Sequence, residues 1–209
     1  MKKVLFLLFL LFLLISCGKN ERKNSKKSPL EFLDVEKEVK IPAENIVLLK
    51  TDMGNIVIKL YPEKSPKSVR LFKKLCVNGF YIGTSFHRVI PDVLIQGGDP
   101  LSKDGNLYND GTGSYEESVP LEKNNLKMVK SAVAIAHPVG DNNGSSQFFI
   151  CLRDFPQWNG KFTIIGYVVD GMNVVKKISH LKRGSGRLKE HPLKKVKILE
   201  IKFLKDWSR

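Results

Sequence analysis

Between Asn45 and Phe203 the chain breaks into short apolar runs with polar positions interleaved, a period-two texture that belongs to strands rather than helices. "NIVLLKTDMGNIVIKLYP" reads as two such runs folded about "DMGN", a hairpin with glycine in its turn. Further strand-like runs are "TSFHRVI", "VLIQGG", "SAVAIA", "QFFICL", "FTIIGYVV" and "KVKILEIKF". Two stretches switch to helical spacing. In "SPKSVRLFKKLCVNG", Val69, Phe72, Leu75 and Cys76 share one face, Ser65 offers an N-cap, Pro66 suits the first helical position, and Asn78-Gly79 close the helix. "DGMNVVKKI" predicts a second, shorter helix. Many short strands with only two helices indicate an antiparallel barrel or sandwich. The polar, glycine-rich stretch between Gln96 and Met128 is a loop of the length that tends to carry function.

The first residues do not share this texture. "MKKVLFLLFLLFLLISC" has Lys2 and Lys3 ahead of an unbroken apolar run, Val4 to Ile15, which is shorter than the roughly 20 residues a membrane-spanning helix needs. "LISCG" then resembles the lipobox of bacterial lipoproteins, with Cys17 the residue that receives the lipid and begins the mature chain. An ordinary signal peptide or a short uncleaved anchor are the alternatives. The expected organisation is a signal peptide over 1–16, a lipidated cysteine and flexible basic tether over 17–42, and one folded domain over 43–209. Several acyl chains on one cysteine give stable anchoring, at about 0.8 kcal/mol per buried CH₂.

Composition changes this picture little. Apolar residues make up 42% and charged ones 27%, so a core can form. The net charge of +14 is high, but the lysines are spread along the chain and dense only at its ends. That distribution suits an anionic membrane surface or solubility better than a nucleic-acid stripe, so no nucleic-acid partner is expected. Cys76 lies in a helical pattern and Cys151 in an apolar strand, where buried free thiols are the common outcome.

The candidate chemistry is sparse. GxSxG, HExxH and a zinc-type Cys/His spacing are all missing, so hydrolase and metal chemistry have no foothold. "GTGSYE" lacks the third glycine of a dinucleotide loop. Asn106, Asp110, Gly111 and Glu117 fall at calcium-loop positions, but Tyr108 spoils the set. His87 could be a base, though a strand histidine is more often a structural hydrogen-bonder. What recurs is guanidinium and amide chemistry among aromatics: Arg88 and Gln96 in "FHRVIPDVLIQGGDP", Gln147 and Phe149 in "NNGSSQFF", and Trp158 in "QWNGKF".

Those motifs, followed by "NGKFTIIGYVVDGMNVVKKI", resemble in order and spacing the cyclophilin family of peptidyl-prolyl cis-trans isomerases. The resemblance runs from about Asn45 to Phe203. It implies a mainly β fold, a closed eight-stranded antiparallel β-barrel capped by two α-helices, with substrate in a groove on the outer face. It also implies an isomerase without cofactor or metal, acting on proline-containing polypeptides and working as a monomer. By position, Arg88, Gln96 and Phe149 match catalytic residues. Val93, Leu94, Ala136, His137, Gln147, Trp158 and Phe162 match the walls of the proline pocket and the adjoining groove.

Peptide-bond rotation faces a barrier of about 18–20 kcal/mol, and X–Pro bonds exchange slowly enough to limit folding. No covalent step is needed to speed it, because stabilising the twisted amide suffices. A fixed guanidinium beside a water-poor pocket can do that, and removing about 7 kcal/mol would give roughly a 10⁵-fold acceleration.

Three positions depart from the family pattern. Val93 stands where a large aromatic is usual, and Phe162 where histidine or tyrosine is. Aligned on "NGK", Trp158 falls where leucine is usual; a one-residue slip would place it at the tryptophan position instead. These substitutions leave room for a non-catalytic peptide-binding module on the same scaffold. The enzyme remains the expectation, as a membrane-tethered extracytoplasmic isomerase that assists folding of exported proteins.

Overall fold

The computed structural model describes residues 39–138 and 140–207. The signal peptide, Cys17 and most of the basic tether lie outside the described residues. In chain order the elements are β1 (Ile46–Thr51), β2 (Gly54–Leu60), α1 (Pro66–Val77), β3 (Arg88–Ile90), β4 (Leu94–Gly97), β5 (Val119–Pro120), β6 (Ala132–Ile135), β7 (Asn143–Gly144), β8 (Phe148–Cys151), β9 (Ile164–Asp170), α2 (Met172–Ser179) and β10 (Ile198–Leu204). Eight strands form one antiparallel sheet in the order β10-β1-β2-β9-β6-β8-β4-β3. The remaining pair, β5 and β7, makes a small ribbon that the sequence pattern did not signal.

The sheet is a curled half-barrel with two ends, β3 and β10, and not the closed barrel that the resemblance implies. The physical reason lies at β3. It is three residues long and is followed by Pro91, which has no N–H to extend a ladder. Across the gap the backbone is stitched instead by Gly83 N–H to Ile198 O (2.8 Å), Ile198 N–H to Thr84 O (2.9 Å) and Phe86 N–H to Val196 O (3.1 Å).

Strand alternation gives the sheet two apolar faces. The inner one holds the main core, with Val47, Leu49, Ile56, Ile58, Val133, Phe148, Ile150 and Ile165 at 0% exposure. Phe148 meets Phe72, Tyr81 and Phe86 edge-on, at centroid distances of 5.5, 5.6 and 6.2 Å. Helix α1 closes this side through Val69, Leu71, Phe72, Leu75 and Cys76. Its first turn is capped from a distance. Ser65 occupies the N-cap position but gives its hydroxyl to the Ile164 carbonyl (2.6 Å), and the Glu122 carboxylate takes the N–H groups of Lys67 and Ser68 instead (3.1 and 2.8 Å). Helix α2 starts after Gly171, whose φ of 88° and contact with the Asn55 carbonyl leave no room for a Cβ.

Lys73 is 4% exposed and donates to Pro42 O (3.0 Å) and Asn45 Oδ1 (2.7 Å), so it ties the start of the folded domain to α1. Burial lowers its pKa. Cys76 and Cys151 are free and buried, and burial pushes the Cys151 thiol up to about 12.

Candidate active site

The β3–β4 hairpin turns through Pro91, Asp92 and Val93, with Asp92 at φ 54°, a conformation a short polar side chain tolerates. Its register sets Arg88 opposite Gln96, and the β4–β8 register sets Gln96 opposite Phe149. The β8–β6 pairing extends the row to Ala134. Val89, Ile95 and Phe148 alternate with these residues and are fully buried in the core. The Arg88–Gln96–Phe149 row therefore lies on the outer face.

A chain of hydrogen bonds runs along this face. Arg88 Nε donates to Glu190 Oε2 at 2.6 Å and Nη1 to Gln96 Oε1 at 3.3 Å. Gln96 Nε2 donates to Gln147 Oε1 at 2.8 Å. Gln147 Nε2 in turn donates to the carbonyls of Gly111 (3.0 Å) and Gly113 (2.7 Å). The loop that presents those carbonyls is held by Asp99, whose carboxylate accepts from the N–H groups of Leu101, Gly111 and Gly113.

Beside the polar chain sits a second apolar cluster: Leu94, Met128, Ala132, Ala134, Phe149, Cys151, Phe155 and Ile164, with Val93, Ala136, Trp158 and Phe162 packed on it. Phe149 is 4% exposed, and the edges of Phe162 and Trp158 flank it at 5.1 and 6.0 Å between centroids. Trp158 stacks flat on Phe155 at 4.1 Å. His137 stacks on Phe162 at 4.7 Å, and its Nε2 donates to the Lys161 carbonyl at 2.9 Å.

All ten residues that the sequence singles out thus converge, seven in or on the aromatic shelf and three in the polar chain. Two grooves meet at Gln96, Gly111 and Thr112. One, of about 470 Å³, is lined also by Ala136, His137 and Gln147; the other, of about 390 Å³, by Arg88, Arg187 and Glu190. His87, just before β3, is 4% exposed and its Nδ1 has no hydrogen-bond partner among the described residues, so it is not the structural hydrogen-bonder expected of a strand histidine. Burial pushes its pKa down to about 4, which keeps the imidazole neutral and leaves Arg88 as the cation.

The sequence reading missed Glu190 and the glycine carbonyls. Glu190 had one signal: it is the only acidic residue between Asp170 and Glu200, in an otherwise basic segment. The carboxylates of the calcium-loop match are engaged elsewhere. The Asp110 side chain is fully buried and paired with His191 (2.6 Å) and Lys195 (3.2 Å), and Glu117 is paired with Lys74 (2.8 Å).

Comparison with known proteins identifies the family. The family model "Cyclophilin type peptidyl-prolyl cis-trans isomerase/CLD" matches residues 46–203. The chain is 38% identical over 156 residues to peptidyl-prolyl cis-trans isomerase ppi1 of Schizosaccharomyces pombe, covering 74% of this chain and 98% of that one. It is 40% identical over 147 residues to a probable peptidyl-prolyl cis-trans isomerase of Brucella suis, covering 68% of this chain and 74% of the relative. Among solved structures, a cyclophilin type isomerase of Cryptosporidium parvum, crystallised in the presence of the dipeptide Ala-Pro, superposes with a TM-score of 0.68 at 26% identity. That match covers 77% of this chain and 99% of the other. An isomerase, rather than a peptide-binding module without activity, is what these relatives support. The chain belongs to the cyclophilin-type peptidyl-prolyl cis-trans isomerases.

Proposed function

We propose that Arg88 is the group that accelerates isomerisation, and that proline seats on the shelf formed by Phe149, Val93, Leu94, Trp158 and Phe162. The observation that carries this reading is the adjacency of a fixed cation to a buried aromatic floor across two strand pairings, Arg88 to Gln96 and Gln96 to Phe149. Nε and Nη1 of Arg88 are engaged, while Nη2 has no hydrogen bond among the described residues. Nη2 is therefore available to donate to an imide nitrogen as rotation returns its lone pair. Gln96 keeps the second hydrogen of Nε2 for the substrate backbone, Gln147 holds Gln96 in place, and Ala136 and His137 line the neighbouring groove. The apolar shelf lowers the local dielectric, which strengthens the contact between guanidinium and nitrogen.

The test is a protease-coupled isomerisation assay on the full chain in detergent. Arg88→Ala is expected to lose about 10²-fold in kcat/KM, the scale of one lost transition-state donor, with its melting temperature within about 2 °C of the parent. An unchanged rate removes Arg88 from the mechanism.

We also propose that the enzyme acts outside the cytoplasm as a monomer, tethered through lipid on Cys17, on proline-containing segments of exported proteins. The charged, apolar and cysteine-ended pattern of residues 1–17 supports this, together with the basic stretch after it. Intact-mass measurement of the mature protein decides: an acylated Cys17 as first residue is expected, and an unmodified Met1 would end the proposal.

A further inference from the structure

The Arg88–Glu190 contact looks at first like an ordinary surface ion pair. Its side chains are 42% and 36% exposed, and such pairs usually contribute little because two long side chains must be ordered to make them. Here the ordering is supplied by other contacts. The Glu190 carbonyl accepts from Val89 N–H at 2.7 Å, so its backbone is fixed one residue from Arg88. The next residue, His191, is 6% exposed and bonds the fully buried carboxylate of Asp110 at 2.6 Å, with Lys195 on the same carboxylate at 3.2 Å. Lys195 also reaches the Ser102 and Asp104 carbonyls (3.0 and 2.8 Å), which roots this loop in the one opposite.

These links close on themselves. Glu190 holds Arg88, Arg88 holds Gln96, Gln96 holds Gln147, and Gln147 holds the Gly111 carbonyl. Gly111 is bonded along the chain to Asp110, Asp110 pairs with His191, and His191 is bonded along the chain to Glu190. A ring of this kind has no free end, so the guanidinium plane cannot swing without breaking a contact on each side. The carboxylate sits on Nε, the one nitrogen whose direction sets that of both Nη groups.

We propose that Glu190 is a positioning residue of the isomerase, orienting Arg88 so that its free Nη2 is fixed before substrate arrives. This rests on the reading of Arg88 given above. A pre-oriented donor acts in the transition state and adds little to ground-state binding, so its loss falls on the turnover step.

The experiment uses the full chain in detergent and a peptide containing Ala-Pro. The cis-trans rate on the enzyme is read by NMR exchange, and Kd by titration. Glu190→Ala is expected to slow the on-enzyme rate about tenfold with Kd within about twofold of the parent. Glu190→Gln, whose amide oxygen still accepts from Nε, recovers most of the rate. In an Arg88→Ala background, Glu190→Ala adds no further loss. The Arg88 Nε–H resonance, assigned by its disappearance in Arg88→Ala, is expected to be shielded from solvent exchange in the parent and to broaden in Glu190→Ala.

A parent rate in Glu190→Ala while Arg88→Ala is slow overturns the positioning role and leaves the Arg88 reading intact. An equal loss in both backgrounds overturns it too, because Glu190 would then act by another route. If Glu190→Ala does not fold, rapid solvent exchange of that Nε–H in the folded parent is enough to refute it. Full activity of Arg88→Ala brings down the reading beneath, and the positioning role with it.

Discussion

Phe148 and Phe149 are the same residue type, adjacent on one strand, 0% and 4% exposed, and they serve different ends. Phe148 points into a core closed by α1 and is clasped edge-on by three rings. Phe149 points outward, under Trp158 and Phe162, with Gln96 directly across the ladder. Exposure alone cannot tell them apart. What separates them is whether a polar rim accompanies the apolar surface. The inner face is sealed by apolar helix residues, whereas the outer cluster borders a guanidinium and two amides. A buried ring beside unspent donors reads as a site; one beside more rings reads as structure.

Three measurements would break or sharpen that contrast. The largest effect is expected from Phe148→Ala, which should cost about 3–5 kcal/mol in urea unfolding and leave the rate of the folded fraction unchanged. A comparable loss of intrinsic rate would mean that the two faces are not independent. Next comes acidification, which probes His87 against its neighbour Arg88. His87 is neutral when folded, with its pKa pushed down by burial from the ordinary 6.5 to about 4. Below about pH 6.5 the unfolded chain takes up a proton that the folded one refuses, so stability falls as pH drops and levels off near 4. Between pH 7 and 4.5 the loss attributable to this histidine is about 2 kcal/mol, seen as the difference between parent and His87→Gln in unfolding at those two values. A matching pH slope in both would assign the effect elsewhere. The smallest effect is expected from Phe149→Leu, at about 1 kcal/mol of stability but with about tenfold weaker binding of an Ala-Pro peptide. Unaltered affinity would place proline elsewhere on the outer face.

Much of this was legible from local pattern. The eight main strands and both helices follow period-two and helical spacing, and the opposite facing of Phe148 and Phe149 follows from alternation alone. Arg88 and Gln96 meet because a short hairpin fixes their register. What stayed hidden depends on long-range closure. The Glu122 cap on α1 and the Glu190 contact with Arg88 join residues far apart in sequence, and no periodicity carries such information. The β5–β7 ribbon is two residues a side, too short for any pattern to register. Sheet closure failed as an expectation for the same reason: strand count is readable, but whether the first and last edges meet depends on a few bonds between distant loops.

That stitched gap has a consequence for how the molecule wears. Arg88 stands on the shortest strand of the main sheet, at the border where three separate hydrogen bonds replace a continuous ladder. Thermal fraying has fewest contacts to undo there, so warming would misalign the cation while the rest of the sheet still holds. Loss of turnover would then come before loss of the fold.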